Sequence, residues 1–231
     1  MKNIDLVILA GGKGTRIKEF LGNKPKPMIK FNNIHFLQYL VNSLSKFSFH
    51  KIYILTGFKH KVIFNQFHNK MFNLTKIKCL KEKKLMGTGG ALLNLKKEKV
   101  NDFILVNGDT IFDVNINNLI KSCGKKKIGS VALASNKKNT NNYKLNSLSV
   151  KNNNLVYQKK GKLMNGGVYF FKKKILNMIP KKKFSLENDF LPNLINKKLL
   201  IGKVYKDFFL DIGTPKYLKF SEKKLKHYFK K

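Results

Sequence analysis

Arginine is nearly missing from this chain: of 48 basic residues, Arg16 is the sole arginine and lysine supplies the other 47. Against such a lysine background, a single arginine is better explained by its planar fork of donors than by its charge. Acidic residues are scarce as well, 12 in all, so the net charge is +36. Cysteine is limited to Cys79 and Cys123. Neither has CxxC spacing or a histidine cluster beside it, which argues against a disulfide framework and a thiolate metal site and leaves two buried or idle thiols in a reducing compartment. No apolar stretch approaches the roughly 20 residues of a membrane-spanning helix. The apolar run from Ile4 to Ala10 has no basic region before it and no cleavage site after it, so no secretory signal is read and a cytoplasmic location is expected.

Positive charge is what the chain has in excess, and it points first to polyanions, because neutralising phosphates releases counterions. The lysines are scattered, however, with only short runs such as Lys125 to Lys127 and Lys181 to Lys183. Lys, Asn, Ile and Phe recur throughout, as A+T-rich codons would produce. The charge therefore reads as compositional drift, although that drift does not account for the shortage of acids. A dedicated nucleic-acid protein would need a contiguous basic face interleaved with stacking aromatics, whereas the aromatics here fall mostly on core positions. No specific nucleic-acid partner is expected, only nonspecific polyanion binding at low salt.

With 231 residues and 42% hydrophobic content, the chain can bury one sizeable core. Short apolar runs at Asp5 to Ala10, Lys51 to Thr56 and Phe103 to Asn107 are rich in β-branched residues and bounded by Gly, Asn or Asp, as buried parallel strands are. Between them, Leu37, Leu40, Val41, Leu44 and Phe47 fall at helical spacing, as do Ala91, Leu92 and Leu95. This alternation predicts a parallel sheet covered on both faces. From Ile128 the texture changes, and Ile128 to Ala134, Leu145 to Val150, Leu155 to Tyr157 and Val168 to Phe171 read as strands that extend the sheet in mixed fashion. Ser185 is a candidate N-cap for a helix that Pro192 must kink or delay, and Thr214-Pro215 announces a last helix to about Phe229. No repeat, long linker or second domain is evident.

The first strand ends at Leu9 and Ala10 and runs into Gly11-Gly12-Lys13-Gly14-Thr15-Arg16. Glycines behind a strand let backbone N–H groups approach an anion with no Cβ in the way. The spacing matches neither G-x-x-x-x-G-K-[ST] nor G-x-G-x-x-G, since residue 17 is Ile. Glycines alone would serve a tight turn. Arg16, together with Lys26 held between Pro25 and Pro27, makes an anion site the better reading. Two further acids, Asp109 in Val106-Asn107-Gly108-Asp109 and Asp211 in Phe208-Phe209-Leu210-Asp211, end apolar strands, where the crevice of an open sheet lies; singly, such an acid is usually a turn or cap residue.

The stretch "LAGGKGTRIKEFLGNKPKPMIKF" resembles the nucleotide loop of the sugar-1-phosphate nucleotidylyltransferases. The resemblance continues in order through "LMGTGGALLNL", "LVNGDTIFDVN", "MNGGVYFF", "FSLENDFLPNL" and "DFFLDIGTPKYL". The last four segments look most like the branch containing D-glycero-α-D-manno-heptose 1-phosphate guanylyltransferases. It implies an α/β fold of the nucleotide-diphospho-sugar transferase type: a Rossmann-like, mostly parallel mixed sheet with helices on both faces. A single domain over 1–231 is expected, with a nucleotide-binding part over about 1–110 and a sugar-binding part over about 111–231.

The implied reaction joins an NTP to a sugar 1-phosphate, giving an NDP-sugar for cell-surface glycan synthesis and releasing pyrophosphate. GTP with a heptose or mannose 1-phosphate is favoured; the family's similar loops also serve CTP, UTP and dTTP. By the resemblance, Arg16 steadies the triphosphate, Lys26 contacts the α-phosphate, and Asp109 and Asp211 hold Mg²⁺, which suits oxygen ligands and keeps several waters. Leu9, Ala10, Gly11, Gly12, Gly14, Thr15, Gly87 and Thr88 would line the nucleotide, although Gly87 to Gly90 could equally start a helix. Asn165 and Gly166 would meet sugar hydroxyls. A Glu-Lys pair common in relatives is replaced by Gln158-Lys159-Lys160, so either Lys159 or Lys160 would take the sugar phosphate. A glycine common in relatives is likewise not evident in Asn142-Tyr143-Lys144-Leu145. Glu187 and Asp189 read as structural or near the sugar. The attacking phosphate is already an anion, so no general base is needed, and His35, His50, His60, His68 and His227 read as surface or packing residues. Nothing in the sequence specifies an oligomeric state.

Overall fold

The computed structural model describes residues 3–135, 148–158 and 161–229. Its strands are β1 (Ile4–Leu9), β2 (Lys30–Phe31), β3 (Ile34–His35), β4 (Ile52–Thr56), β5 (Met71–Phe72), β6 (Thr75–Lys81) and β7 (Asp102–Asn107). After these come β8 (Thr110–Phe112), β9 (Gly129–Ser135), β10 (Leu148–Lys151), β11 (Asn154–Tyr157), β12 (Leu163–Phe171), β13 (Leu200–Tyr205) and β14 (Phe209–Asp211). One mixed sheet runs in the order β10-β11-β13-β9-β12-β7-β1-β4-β6-β5. Strand β1 pairs in parallel with β4 and β7, and β4 with β6. Antiparallel β12 then joins β7 to β9, which is the mixed extension that the change of texture after Ile128 predicts.

The apolar runs are continuous because both faces of the sheet are covered. Successive strand residues point to opposite faces, and the core divides accordingly. Leu6, Ile8, Ile52, Ile54, Ile104, Val106, Val168 and Phe170 belong to one hydrophobic cluster. Their alternates Val7, Tyr53, Leu55, Phe103, Leu105, Tyr169 and Phe171 belong to the other. The first cluster is closed by helices Phe36–Ser43, His60–Phe67, Ile116–Cys123 and Pro215–Phe229. The second is closed by helical turns around Ala91–Lys97, Lys173–Met178 and Leu191–Asn196. Cys79 and Cys123 are both buried and free. Among the described residues, no helix is long and apolar enough to cross a membrane.

Local departures from the sequence reading have physical causes. The helix carrying Leu37 and Leu40 stops at Ser43, so Phe47 packs on the core from the turns that follow. Ala91, Leu92 and Leu95 sit on 3₁₀ turns behind one α-turn at Gly87–Gly90. Ser185 does cap its helix, accepting from Asn188 N, but the first turn is a wide π turn over Leu186–Phe190. Pro192 has no N–H to give, and the Phe190 N–H reaches back to Ser185 O at 3.2 Å before a regular helix begins at Leu191. The strand expected at Val168 already begins at Leu163 and carries a bulge, its pairing with β9 shifting between Asn165 and Tyr169. Gly167 at φ +69° takes up that irregularity.

At the same bulge, a Cβ on Gly166 would meet the Phe112 ring at 2.4 Å and Ala132 O at 2.8 Å. Gly166→Ala is therefore expected to destabilise the fold by about 1–3 kcal/mol, the usual cost of overpacking. Thermal unfolding would register it, and an unchanged Tm would show that β8 yields freely.

Candidate active site

The glycine loop, the Pro-Lys-Pro turn and the two strand-end acids come together at one end of the sheet. Leu9 accepts Gly108 N at 2.9 Å, and the Ala10 N–H reaches Leu55 O at 2.8 Å, tying the loop to both neighbouring strands. Gly14 has φ +64°, and a Cβ there would lie 2.6 Å from Leu21 and 3.1 Å from Lys26 Cβ. A left-handed, crowded position of this kind accepts only glycine without strain. Gly12 faces open space, and Thr15 and Arg16 are exposed on a short 3₁₀ turn anchored by buried Ile17.

Asp109 and Asp211 are brought side by side by strand pairing. β14 lies antiparallel to β8 with Asp211 opposite Thr110, and the Ile212 N–H donates to Asp109 O at 3.0 Å. Lys26 Nζ donates to Asp109 Oδ2 in a close ion pair. Gly213 closes the group: its N–H donates to Asp211 Oδ1 at 2.5 Å, and a Cβ on it would sit 3.2 Å from Lys26 Nζ. Burial first, and the charge of Asp109 second, raise the Asp211 carboxyl to about 7, while Lys26, the Gly213 N–H and Arg16 pull the other way. The four groups therefore share one electrostatic environment.

The second half of the site is a polar network that sequence reasoning did not assemble. Gly87 has φ +80°, with Phe184 O where its Cβ would lie. The Thr88 hydroxyl donates to Glu187 Oε2 at 2.7 Å and accepts from Leu186 N at 2.9 Å. Thr88 therefore pins the Ser185-Leu186-Glu187 turn, and the Gly87–Gly90 segment is the start of a helix. Asn165 stabilises the β12 bulge, its Oδ1 accepting Gly167 N at 3.0 Å and its Nδ2 donating to Tyr169 Oη at 2.8 Å. Asn107, two residues before Asp109, packs against Gly167, lies 3.5 Å from Glu187 Oε1 through Nδ2, and keeps a buried Oδ1 without a partner among the described residues. The signal for Asn107 was its place at the end of an apolar strand beside Asp109. Lys159 and Lys160 lie outside the described residues.

The sequence signature of the nucleotidyl transferase family matches residues 6–227. The chain is 33% identical over 216 residues to the D-glycero-alpha-D-manno-heptose 1-phosphate guanylyltransferase of Campylobacter jejuni, an alignment covering 90% of this chain and 94% of that protein. It is 29% identical over 233 residues to the protein of the same name from Aneurinibacillus thermoaerophilus, with 97% and 100% coverage. The crystal structure of HddC from Yersinia pseudotuberculosis complexed with GMP-PN aligns at 30% identity with a TM-score of 0.76, covering 95% of this chain and 99% of that one.

Because Lys26 lowers the Asp211 pKa, Lys26→Met should move the Asp211 titration upward from about 7 in metal-free protein. Carboxyl ¹³C NMR reads this directly. A downward or absent shift would show that Lys26 does not act on the acid pair as a unit.

Proposed function

The chain belongs to the nucleotidyl transferase family, and from that premise we propose that it is a sugar-1-phosphate nucleotidyltransferase moving a guanylyl group from GTP onto a heptose 1-phosphate. The observation that carries this reading is the joint action of Arg16 and Lys26 on the Asp109 and Asp211 carboxylate pair behind a glycine loop. The base and sugar rest on the two heptose 1-phosphate guanylyltransferases and the GMP-PN complex to which the chain is similar.

In the proposed reaction an oxygen of the sugar 1-phosphate attacks the α-phosphorus of GTP in line, the bond to the β-phosphate oxygen breaks, and pyrophosphate leaves with the electron pair. Two polyanions must meet, so the residues' task is to hold them and relieve repulsion. Glycines 11, 12 and 14, with Leu9, Ala10 and Thr15, offer backbone to the triphosphate, and Arg16 engages its oxygens bidentately. Lys26, freed from Asp109 as the phosphates enter, takes the α-phosphate. Asp109 and Asp211 form a hard oxygen pair that fits a divalent cation, with Mg²⁺ the natural choice. Burial first, and the nearby charge of Asp109 second, raise the Asp211 pKa. Such an ion, once bound, would screen charge on the phosphates. Asn165 and Gly166, with Asn107 and Glu187 beside them, form the sugar side, and Lys159 or Lys160 would receive the sugar phosphate. On this reading the nucleotide part would span about 1–110 and the sugar part about 111–231, with Asn107 at their boundary.

Pyrophosphate release with four NTPs against heptose, mannose and glucose 1-phosphates tests the reading, with GTP and heptose 1-phosphate the expected pair. Asp109→Asn and Asp211→Asn should each remove most turnover while the fold survives; near-normal turnover at saturating Mg²⁺ would remove the metal assignment. Arg16→Lys keeps the charge but loses the fork. It should lower kcat/KM roughly a hundredfold, the scale of one oriented transition-state contact. An unchanged kcat/KM would make Arg16 a surface cation.

A further inference from the structure

The outer face of the last helix takes no part in the proposed reaction. Helix Pro215–Phe229 packs on the core through Leu218, Ser221 and Leu225, all buried, and through Tyr228, whose ring stacks on Phe208 at 4.3 Å between centroids. Lys219, Phe220, Lys223, Lys226 and His227 fall at the i, i+1, i+4, i+7, i+8 spacing of a single helical face, turned away from that core. All five are exposed. The one acid of the helix, Glu222, stands at the flank, where its Oε1 accepts Asn32 N at 3.0 Å.

Phe220 is 55% exposed in the middle of this row, between Lys219 and Lys223. A phenylalanine there is a poorer helix former than lysine and recovers little from burial. Singly, an exposed aromatic is ordinary. Set among cations with no carboxylate to answer them, it gives the face both elements of surface adsorption: charge that attracts an anionic plane, and an apolar ring that enters it. The lysine stems can lie along the boundary while their ammonium groups stay at headgroup level.

We propose that the outer face of helix Pro215–Phe229 docks the protein on an anionic lipid bilayer, with Lys219, Lys223 and Lys226 over the headgroups and Phe220 inserted between them. Other occupants fit the face less well. A convex helix has no groove to track a single nucleic-acid strand, and one phenyl ring is no stacking platform. Lysine's point charge suits a diffuse layer of headgroups better than the bidentate reading of bases. A second copy of the chain would bring its own +36 against this face. The helix begins at Pro215, four residues after Asp211, so a bilayer on its outer face lies near the carboxylate end of the sheet, whatever nucleotide and sugar the site takes.

Partitioning onto vesicles of equal parts phosphatidylcholine and phosphatidylserine, against phosphatidylcholine alone, tests this. Because lysine covers much of the surface, the comparison is between faces. Lys219→Gln/Lys223→Gln/Lys226→Gln should weaken partitioning onto the mixed vesicles roughly a hundredfold, about fivefold per lysine. Lys121→Gln/Lys125→Gln/Lys126→Gln removes the same charge from exposed positions around the end of helix Ile116–Cys123, and should weaken it less than about threefold. Phe220→Ser keeps the charge and should lose about tenfold. The chain contains no tryptophan, so Phe220→Trp supplies a lone reporter whose emission should shift to the blue on the mixed vesicles and not on phosphatidylcholine. Equal losses from the two lysine triplets, wild-type binding by Phe220→Ser, or an emission unmoved by the mixed vesicles overturns the proposal. So does face-dependent binding that is tighter to DNA or RNA than to vesicles, which would make the partner a nucleic acid. Every altered side chain is exposed, and unchanged circular dichroism and Tm show that each variant keeps the fold.

Discussion

Two carboxylates brought together at the ends of separate strands, with one ammonium against them, set the constraint that the rest of the site obeys. Burial makes the charged form of Asp211 costly, and the charge of Asp109 beside it adds to that cost, which is why Asp211 stands near 7. The pair persists because β8 and β14 hold their backbones in register and because Lys26 and the Gly213 N–H offset part of the charge. The Pro25-Lys26-Pro27 turn restricts the backbone that carries the lysine. An arrangement this unfavourable in isolation would become favourable if, as proposed, phosphates and a cation shared it.

The glycines serve that arrangement in distinct ways. Gly14 takes a left-handed conformation against Lys26, Gly108 lets the turn before Asp109 lie on Leu9 O, and Gly213 leaves room for Lys26 and Asp211 together. Gly166 and Gly167 produce the β12 bulge, which turns Asn165 into a brace for its own backbone and sets Asn107 beside Glu187. Each is a close approach that a Cβ would prevent. Glycine usage here therefore follows the crevice more than the turns of the surface.

The charge of the chain has little part in this geometry. Of 48 cations, Lys26 and Arg16 act on Asp211. Much of the remaining lysine is exposed, where charges are screened within about 10 Å in ordinary salt. Scarcity is more telling than abundance: with so few acids, the clustering of Asp109 and Asp211 and the burial of Glu82 stand out against a surface that hardly uses carboxylates.

Strands β1, β4, β7 and β9 were legible because each is a short apolar run, and a run buried on both faces needs no partner to be recognised, whereas β6, which alternates with lysine, was not. Helix ends were less so: Phe47 and Leu186 sit at helical spacing, yet one lies beyond the helix and the other on a wide turn set by Pro192. The glycine loop, Lys26 and the strand-end acids could be singled out along the chain, and their order carried the resemblance to a family. Their proximity could not be read there, since residues 16, 26, 109 and 211 meet only through the pairing of β8 with β14 and the alignment of β1 with β7. Local sequence determined which segments become strands and which residues can bear phosphate chemistry; tertiary pairing decided which of them meet, because a sheet aligns residues distant in the chain through backbone bonds that carry no mark of side-chain identity.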